Sequence, residues 1–152
     1  MPTISLKEDA FQFCKDYIKN RFNRIQNQIQ EIQTALTTET KSSAGDKHET
    51  GRAMLQLERE KLGQQLAEVE KVSQVLSKIN ISGKQKYIGP GTLVKTNGFH
   101  YFICISAGEY VHNEARVYCV SAATPIARIL IGKETGDVVF FNGKEIKVKE
   151  VF

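Results

Sequence analysis

The spacing of apolar residues changes once along this chain, and that change constrains its fold most. From Phe11 to Leu36, apolar residues recur at steps of three and four, which is the period of a helical stripe that faces one partner helix. The same pattern returns from Leu55 to Ile79, where one interval is seven residues and the others are three or four. After Gly83 the apolar residues alternate with a period of two, which is typical of half-buried strands. The pattern predicts an α+β chain with a helical first half and a β-rich second half.

The two helical stretches are separated by residues 37–49, which are rich in Thr, Ser and Gly and poor in apolar residues. A short polar break of this kind is where a chain reverses. The helices are therefore predicted to form an antiparallel coiled-coil hairpin with its tip at about residues 37–50. We expect the hairpin to span residues 1–82 and a second domain to span residues 83–152.

The second half carries two strong hairpin signals, Asn97-Gly98 and Asn142-Gly143, each flanked by strand-like residues. A further strand is predicted over Ala115–Ser121. Between the pairs, the segment from Thr124 to Lys133 is predicted to be a short helix, because proline suits a first helical position and glycine suits the C-terminal end. The expected architecture is a small antiparallel sheet with one short helix.

Composition excludes some functions and favours a cytoplasmic location. The net charge of +4 is mild for an autonomous nucleic-acid binder, and no apolar run approaches the roughly 20 residues that a membrane-spanning helix needs. The first residues lack the basic and apolar segments of a secretory signal. Cys14, Cys104 and Cys119 form no close pair in sequence, so they are interpreted as buried thiols rather than as zinc ligands or a disulfide framework.

Two stretches of sequence resemble a known family. The segment from Ser121 to Asp137 looks like the Ser-Pro-Ile-Ala/Gly-x-x-Leu-Ile/Leu-Gly-Lys-x-x-Gly-Asp signature of the bacterial Gre transcript-cleavage factors. Gly45-Asp46-Lys47-His48-Glu49 is similar to the Gly-Asp-x-x-Glu at the tip of that family's hairpin. The resemblance covers nearly the whole chain. It implies an N-terminal coiled-coil hairpin followed by a C-terminal FKBP-like domain, that is, one with FK506-binding-protein-like topology.

The resemblance also implies a function, which is regulation of transcription elongation at RNA polymerase. The hairpin would enter the polymerase secondary channel, where Asp46 and Glu49 would assist the catalytic site by sharing a Mg²⁺ ion that the isolated chain does not bind stably. Pro125, Ile126 and Ala127 would bind the polymerase. The chain itself would be an accessory factor and not an enzyme. Its expected partners are RNA polymerase and the nascent RNA of the DNA-bound elongation complex, with no membrane, and we expect a monomer.

Several alternatives stay open at the tip. Asp46-x-x-Glu49 also fits a helix-capping box, and Arg52 and Arg59 are either phosphate contacts or part of a solvated face. After Glu49 the chain has Thr50-Gly51-Arg52-Ala53 where the family usually has Asn-Ala-Glu-Tyr. A regulator that occupies the channel without promoting cleavage is therefore the main alternative. Prolyl isomerisation is a remote one, since the chain contains no Trp.

Overall fold

The computed structural model describes the backbone of residues 3–41 and 46–152 and the side chains of residues 6–38 and 50–152. The chain forms two compact units. The sheet unit consists of Met1–Tyr17 together with Gln74–Phe152, and the helical unit consists of Ile18–Ser73. Helices α1 (Thr3–Lys41) and α2 (Asp46–Ser77) contribute to both units. Within the described residues, no helix combines the length and the apolar character needed to cross a membrane.

The helical unit buries the apolar stripe that the sequence predicts. Ile32 of α1 and Leu62 of α2 line one groove, so the two stripes face each other. Polar residues such as Gln26 and Glu60 are exposed. Buried apolar side chains lie on both helices: Ile18, Ile25, Ile29, Ile32 and Val69.

Helix α1 is longer than the sequence pattern predicts. The polar stretch 37–49 was expected to be a reversal, but α1 continues to Lys41 and α2 begins at Asp46. Along the end of α1, the hydroxyl groups of Thr34, Thr37 and Thr38 donate to carbonyl oxygens four residues earlier, at 3.0, 3.0 and 3.1 Å. Because the helix itself satisfies these hydroxyls, the threonines do not end it.

The sheet unit contains a six-stranded sheet in the order β3-β4-β2-β1-β6-β5. Along the chain, the strands and the short helix are β1 (Leu93–Thr96), β2 (His100–Cys104), β3 (Gly108–His112), β4 (Ala115–Ser121), α3 (Pro125–Leu130), β5 (Val138–Phe141) and β6 (Lys144–Val151). The predicted helix and the predicted strand at Ala115–Ser121 are confirmed. Strand β3, for which no prediction was made, pairs with β4 through the two-residue turn Asn113-Glu114.

One strand pair differs from the predicted antiparallel sheet. β2 and β4 run parallel, with Phe102 opposite Cys119, whereas the other neighbouring strands are antiparallel. The expectation of an entirely antiparallel sheet is therefore wrong. The reason is that β3, whose residues are mostly exposed, takes the edge position. β4 then lies between β3 and β2, where its Val117 and Cys119 are buried.

The two Asn-Gly turns are built differently. At the second, Asn142 and Gly143 have φ of 52° and 75°, as the tight hairpin turn between β5 and β6 requires. At the first, neither Asn97 nor Gly98 is among the described residues with positive φ. Instead, the Asn97 amide donates to the Lys147 carbonyl at 3.2 Å, and Thr96 Oγ1 accepts from the Gly98 amide at 3.0 Å. This turn is therefore tied to β6.

Both faces of the central sheet are covered. On one face the sheet packs against α3, and the shared core contains Ile88, Val94, Tyr101, Ile103, Ile126, Ala127, Leu130, Val139, Val148 and Val151. On the other face, the Phe102 ring meets the Phe11 ring of α1 edge-on, with ring centroids 6.3 Å apart. Burial on both sides explains why β2 is apolar at nearly every position instead of alternating.

Candidate functional site

The predicted metal ligands lie at the start of α2. Because α2 begins at Asp46, Asp46 and Glu49 share its first turn, where the helix dipole favours negative charge. Their side chains lie outside the described residues, so the predicted carboxylate pair and the capping box stay predictions. The donor chemistry suits Mg²⁺, which takes oxygen ligands and usually only one or two protein carboxylates.

Arg52 lies three residues after Glu49 and connects the two helices. Its Nη1 donates to the carbonyl oxygen of Leu36 in α1 at 3.4 Å, and its side chain is half-buried. Residues three apart in a helix are neighbours on its surface. Arg52 therefore lies one turn after Glu49, at the position where the Gre pattern has a further glutamate.

Arg59, the second predicted phosphate contact, lies two turns further along α2. A Cβ atom added to Gly63 would stand 3.3 Å from Nη1 of Arg59, so the guanidinium lies along its own helix above this glycine. At seven residues' separation, Arg52 and Arg59 lie on the same side of α2, about 10 Å apart along its axis. Both are half-buried. Their contact with phosphates stays a prediction.

The predicted polymerase-binding residues begin helix α3 in the sheet unit. Thr124 caps this helix, since its Oγ1 donates to the Ser121 carbonyl at 2.8 Å and accepts from the Ala127 amide at 3.4 Å. Pro125 occupies the first turn and is exposed. Ile126 and Ala127, in contrast, are only 8% and 0% exposed and belong to the core. Of the three predicted contacts, only Pro125 presents its side chain to solvent.

The remaining residues of the Ser121–Asp137 segment set the backbone conformation between α3 and β5. Gly132 and Gly136 have φ of 87° and 96°, values that residues with a Cβ atom rarely adopt. Asp137 Oδ2 accepts from the Glu134 amide at 2.9 Å, and this closes the turn before β5. These residues therefore have a structural role in this chain. In α3, Ile126 and Leu130 belong to the core shared with the sheet, and Ile129 packs against that core.

The three cysteines that the sequence predicts to be buried thiols lie together in one cluster, and the sequence does not predict that they meet. Cys14, Cys104 and Cys119 are all free and buried, and the side chain of Cys14 interacts with both of the others. Their separation in the sequence gives no signal of this meeting. In the described part of the chain, no group of three or more His, Cys, Asp or Glu side chains is arranged to hold a metal ion.

Comparisons of this chain with protein-family models and with curated proteins found no match.

Proposed function

We propose that this protein is a transcription elongation factor of the Gre kind, which binds RNA polymerase and stimulates the polymerase's own hydrolysis of backtracked RNA. The observation that carries the proposal is the start of α2 at Asp46, soon after the end of α1 at Lys41. It places both residues of the Asp-x-x-Glu pair in the first turn after the connection between two long helices. The similarity of Ser121–Asp137 to the Gre signature supports the same assignment.

Contacts within the helical unit support an antiparallel coiled-coil hairpin. Late residues of α1 meet early residues of α2, and earlier residues of α1 meet later ones. Leu36 accepts a hydrogen bond from Arg52, Ile32 shares a groove with Leu62, and Arg21 shares one with Glu68. In this arrangement Asp46 and Glu49 lie at the closed end of the hairpin. FKBP-like topology of the sheet unit is part of the same proposal.

The carboxylates of Asp46 and Glu49 would bind and orient an ion at the polymerase active site. Two carboxylates supply only part of the coordination shell of Mg²⁺, so the polymerase must supply further ligands. The bound ion would supply an activated water and charge stabilisation for phosphodiester hydrolysis. This division of ligands explains why a factor without a complete metal site of its own can still promote cleavage.

A second candidate function is occupation of the channel without cleavage. The observation that favours it is the position of Arg52, which lies one turn after Glu49 and donates a hydrogen bond to the carbonyl oxygen of Leu36. A fixed positive charge near the carboxylates opposes capture of a cation by Coulomb repulsion. In this version the hairpin blocks or tunes the channel, and the polymerase hydrolyses RNA no faster than without the factor.

Stalled, backtracked elongation complexes test both functions. We expect the wild-type protein to shorten the RNA in these complexes. Asp46→Asn and Glu49→Gln should each lower the rate by at least about tenfold, because each removes a charged oxygen ligand. Glu60→Gln is the matched control, since Glu60 is exposed on the same helix and should leave the rate unchanged.

Polymerase binding, measured in parallel, separates the outcomes. Binding without RNA shortening would favour the non-cleaving regulator. Shortening that both tip variants support at the wild-type rate would show that the carboxylates are structural. A protein that neither binds the polymerase nor changes the RNA contradicts the proposal as a whole.

A further inference from the structure

Three cysteines from distant parts of the chain meet inside the sheet unit. Cys14 lies on α1, Cys104 on β2 and Cys119 on β4. Their exposed fractions are 0%, 3% and 2%, and none of them is in a disulfide. Thiols so completely removed from solvent are usually small apolar core residues. Because the three thiols lie together, they can also react with one another.

The strand register brings two of the thiols to the same face of the sheet. Cys119 is opposite Phe102 in the parallel pair β2–β4, and Cys104 is two residues beyond Phe102, so Cys104 and Cys119 point to the same side. The Phe102 ring on that side contacts the Phe11 ring of α1. Cys14 follows one helical turn after Phe11, on the same stripe. Helix α1 therefore packs Cys14 against the two strand cysteines.

Cys14 is the centre of the cluster. It interacts with the thiols of both Cys104 and Cys119 and with the backbone at Ile105. Cys104 and Cys119 are offset by two residues on neighbouring strands, so the strand spacing and the rise per residue put their Cα atoms about 8 Å apart. Disulfides usually need Cα separations below about 7 Å. The favoured bonds are therefore Cys14–Cys104 and Cys14–Cys119, and not Cys104–Cys119.

Hydrogen bonding also distinguishes the three sulfur atoms. The Cys104 and Cys119 thiols donate to Cys14 and thereby lower the pKa of the Cys14 thiol. The same interaction, together with burial, raises the pKa of Cys104 and of Cys119. The thiolate is the nucleophilic form of cysteine. Together with its central position between the other two thiols, this makes Cys14 the attacking sulfur and the other two thiols its partners.

We propose that the cluster of Cys14, Cys104 and Cys119 is a redox-modification site, in which a hydroperoxide converts Cys14 and one of the two strand cysteines into a disulfide that joins α1 to the sheet. This inference is independent of the function proposed above, because it concerns only groups inside the sheet unit. Because all three thiols are buried, the reaction requires a local opening of the packed interior that admits the peroxide.

The reaction proceeds in two steps. The Cys14 thiolate attacks one oxygen of the peroxide, an S–O bond forms as the O–O bond breaks, and the leaving hydroxide takes a proton to become water. The sulfur of Cys104 or Cys119 then attacks the Cys14 sulfur, an S–S bond forms as the S–O bond breaks, and a second water leaves with the thiol proton. Two thiols are oxidised by two electrons, and the peroxide is reduced to two waters. The third thiol can then exchange into the bond.

The disulfide would constrain the unfolded chain. It joins residues 90 or 105 positions apart (104 − 14 or 119 − 14), and cross-links that close long loops reduce the entropy of the unfolded state most. The oxidised protein should therefore melt at a higher temperature than the reduced protein, by about 5 °C or more. A dithiol reductant should reverse the shift.

Peptide mapping of the full chain tests the proposal. The reduced protein is treated with hydrogen peroxide, the remaining thiols are blocked with an alkylating reagent, and the unreduced digest is analysed by mass spectrometry. We expect an intramolecular link from the Cys14 peptide to the peptide of Cys104 or Cys119. Only sulfinic or sulfonic acids, only links between chains, or a lower melting temperature after linkage would overturn the proposal.

Single substitutions test the assignment of Cys14 as the centre. Cys104→Ala should retain the Cys14–Cys119 link, and Cys119→Ala should retain the Cys14–Cys104 link. Cys14→Ser, which keeps the size of the side chain, should lose both and form no Cys104–Cys119 link at the wild-type rate. Circular dichroism verifies that each variant is folded. Formation of Cys104–Cys119 in Cys14→Ser as fast as any link in the wild type would overturn the assignment.

Discussion

The side-chain nitrogen Nζ of Lys7 lies 3.0 Å from the carbonyl oxygen of Gly83, so a buried base near the start of α1 holds the segment that follows α2. Lys7 is only 2% exposed, and burial lowers its pKa from the ordinary value of 10.5. A charged ammonium with so little access to water destabilises the folded protein relative to the neutral amine.

The first prediction is a pH dependence that comes from Lys7. Since its pKa is lower in the folded than in the unfolded protein, the unfolded chain binds more protons between the two values. The free energy of unfolding should therefore rise with pH in that window, up to about the unfolded pKa of 10.5. Lys7→Met should remove this contribution. Denaturant titrations of both proteins from pH 7 to pH 10 should show a difference that shifts in favour of the wild type as the pH rises toward 10.

Lys19→Met is the control for this experiment, because Lys19 is exposed on the same helix. Its unfolding free energy should follow that of the wild type at every pH. Tyrosines that titrate in the same range are present in all three proteins, so their contribution cancels in the difference. Parallel curves for wild type and Lys7→Met would contradict the assignment.

The second prediction concerns the close approach of Gly91 to Asn80. Gly91 has φ of 88°, and a Cβ atom there would stand 2.3 Å from the Asn80 carbonyl oxygen. Gly91→Ala should lower the free energy of unfolding by at least about 2 kcal/mol, because both the backbone conformation and the contact become strained. At Gly89, by comparison, a Cβ atom would meet nothing within 4 Å. Gly89→Ala should change stability by less than about 1 kcal/mol, and equal effects at both glycines would refute the packing described.

The third prediction separates folding from docking at α3. Ile126→Ala should lower the free energy of unfolding by about 2–4 kcal/mol, since it removes buried apolar volume from the core. Pro125→Glu should change stability by less than about 1 kcal/mol, because an acidic residue is favourable in the first helical turn. If Pro125 contacts the polymerase, the same substitution should weaken binding at least about tenfold in a titration with labelled polymerase.

Val111→Glu provides the comparison for Pro125→Glu. Val111 is 50% exposed and lies on the edge strand β3, so the change also replaces an exposed apolar side chain with a charge. Its binding should match that of the wild type. Should Pro125→Glu bind as tightly as Val111→Glu, the docking role of Pro125 would be wrong.

The fourth prediction concerns the positive charge of Arg52, one turn after Glu49. Arg52→Glu replaces a repelling charge with an attracting one, and it should raise RNA-cleavage stimulation by about three- to tenfold at limiting Mg²⁺. Arg52→Met removes the charge and the hydrogen bond to Leu36, and it should give an intermediate rate with a loss of stability of about 1 kcal/mol or less. A decrease in cleavage for Arg52→Glu would instead indicate that the guanidinium contacts the RNA.

Local patterns predicted much of the sheet unit because they depend on neighbours in sequence. Pro125 and Gly132 indicated the short helix, and Asn142-Gly143 indicated the tight turn. Strand β3 carried no such signal, because its side chains are mostly exposed and do not alternate. Its Tyr110 ring contacts the Phe13 ring of α1, with ring centroids 5.3 Å apart, and this contact cannot be read from either segment alone.

The candidate site was indicated in part. The tip location and the resemblance to the Gre hairpin tip, and not spacing alone, indicated Asp46 and Glu49 as candidate metal ligands, and positive charge near that tip indicated Arg52 and Arg59. The sequence did not indicate that Arg52 reaches Leu36, because that contact depends on how the two helices are paired. Nor did it indicate that Ile126 and Ala127 are buried while Pro125 is exposed, since the direction of each side chain is set by how α3 packs on the sheet.

The sequence by itself determined the α+β class, the helical stripes and most of the strands, because the period of apolar residues sets which local conformation can bury them. Only the tertiary structure decided how the two predicted hairpins, β3 and β4 joined into one sheet, and which side of each strand was covered. Cys14 and Cys119 are the clearest case: they come together because β4 pairs in parallel with β2 and α1 packs against that face. Pairing between distant segments depends on the burial of the whole sheet, and no local period encodes it.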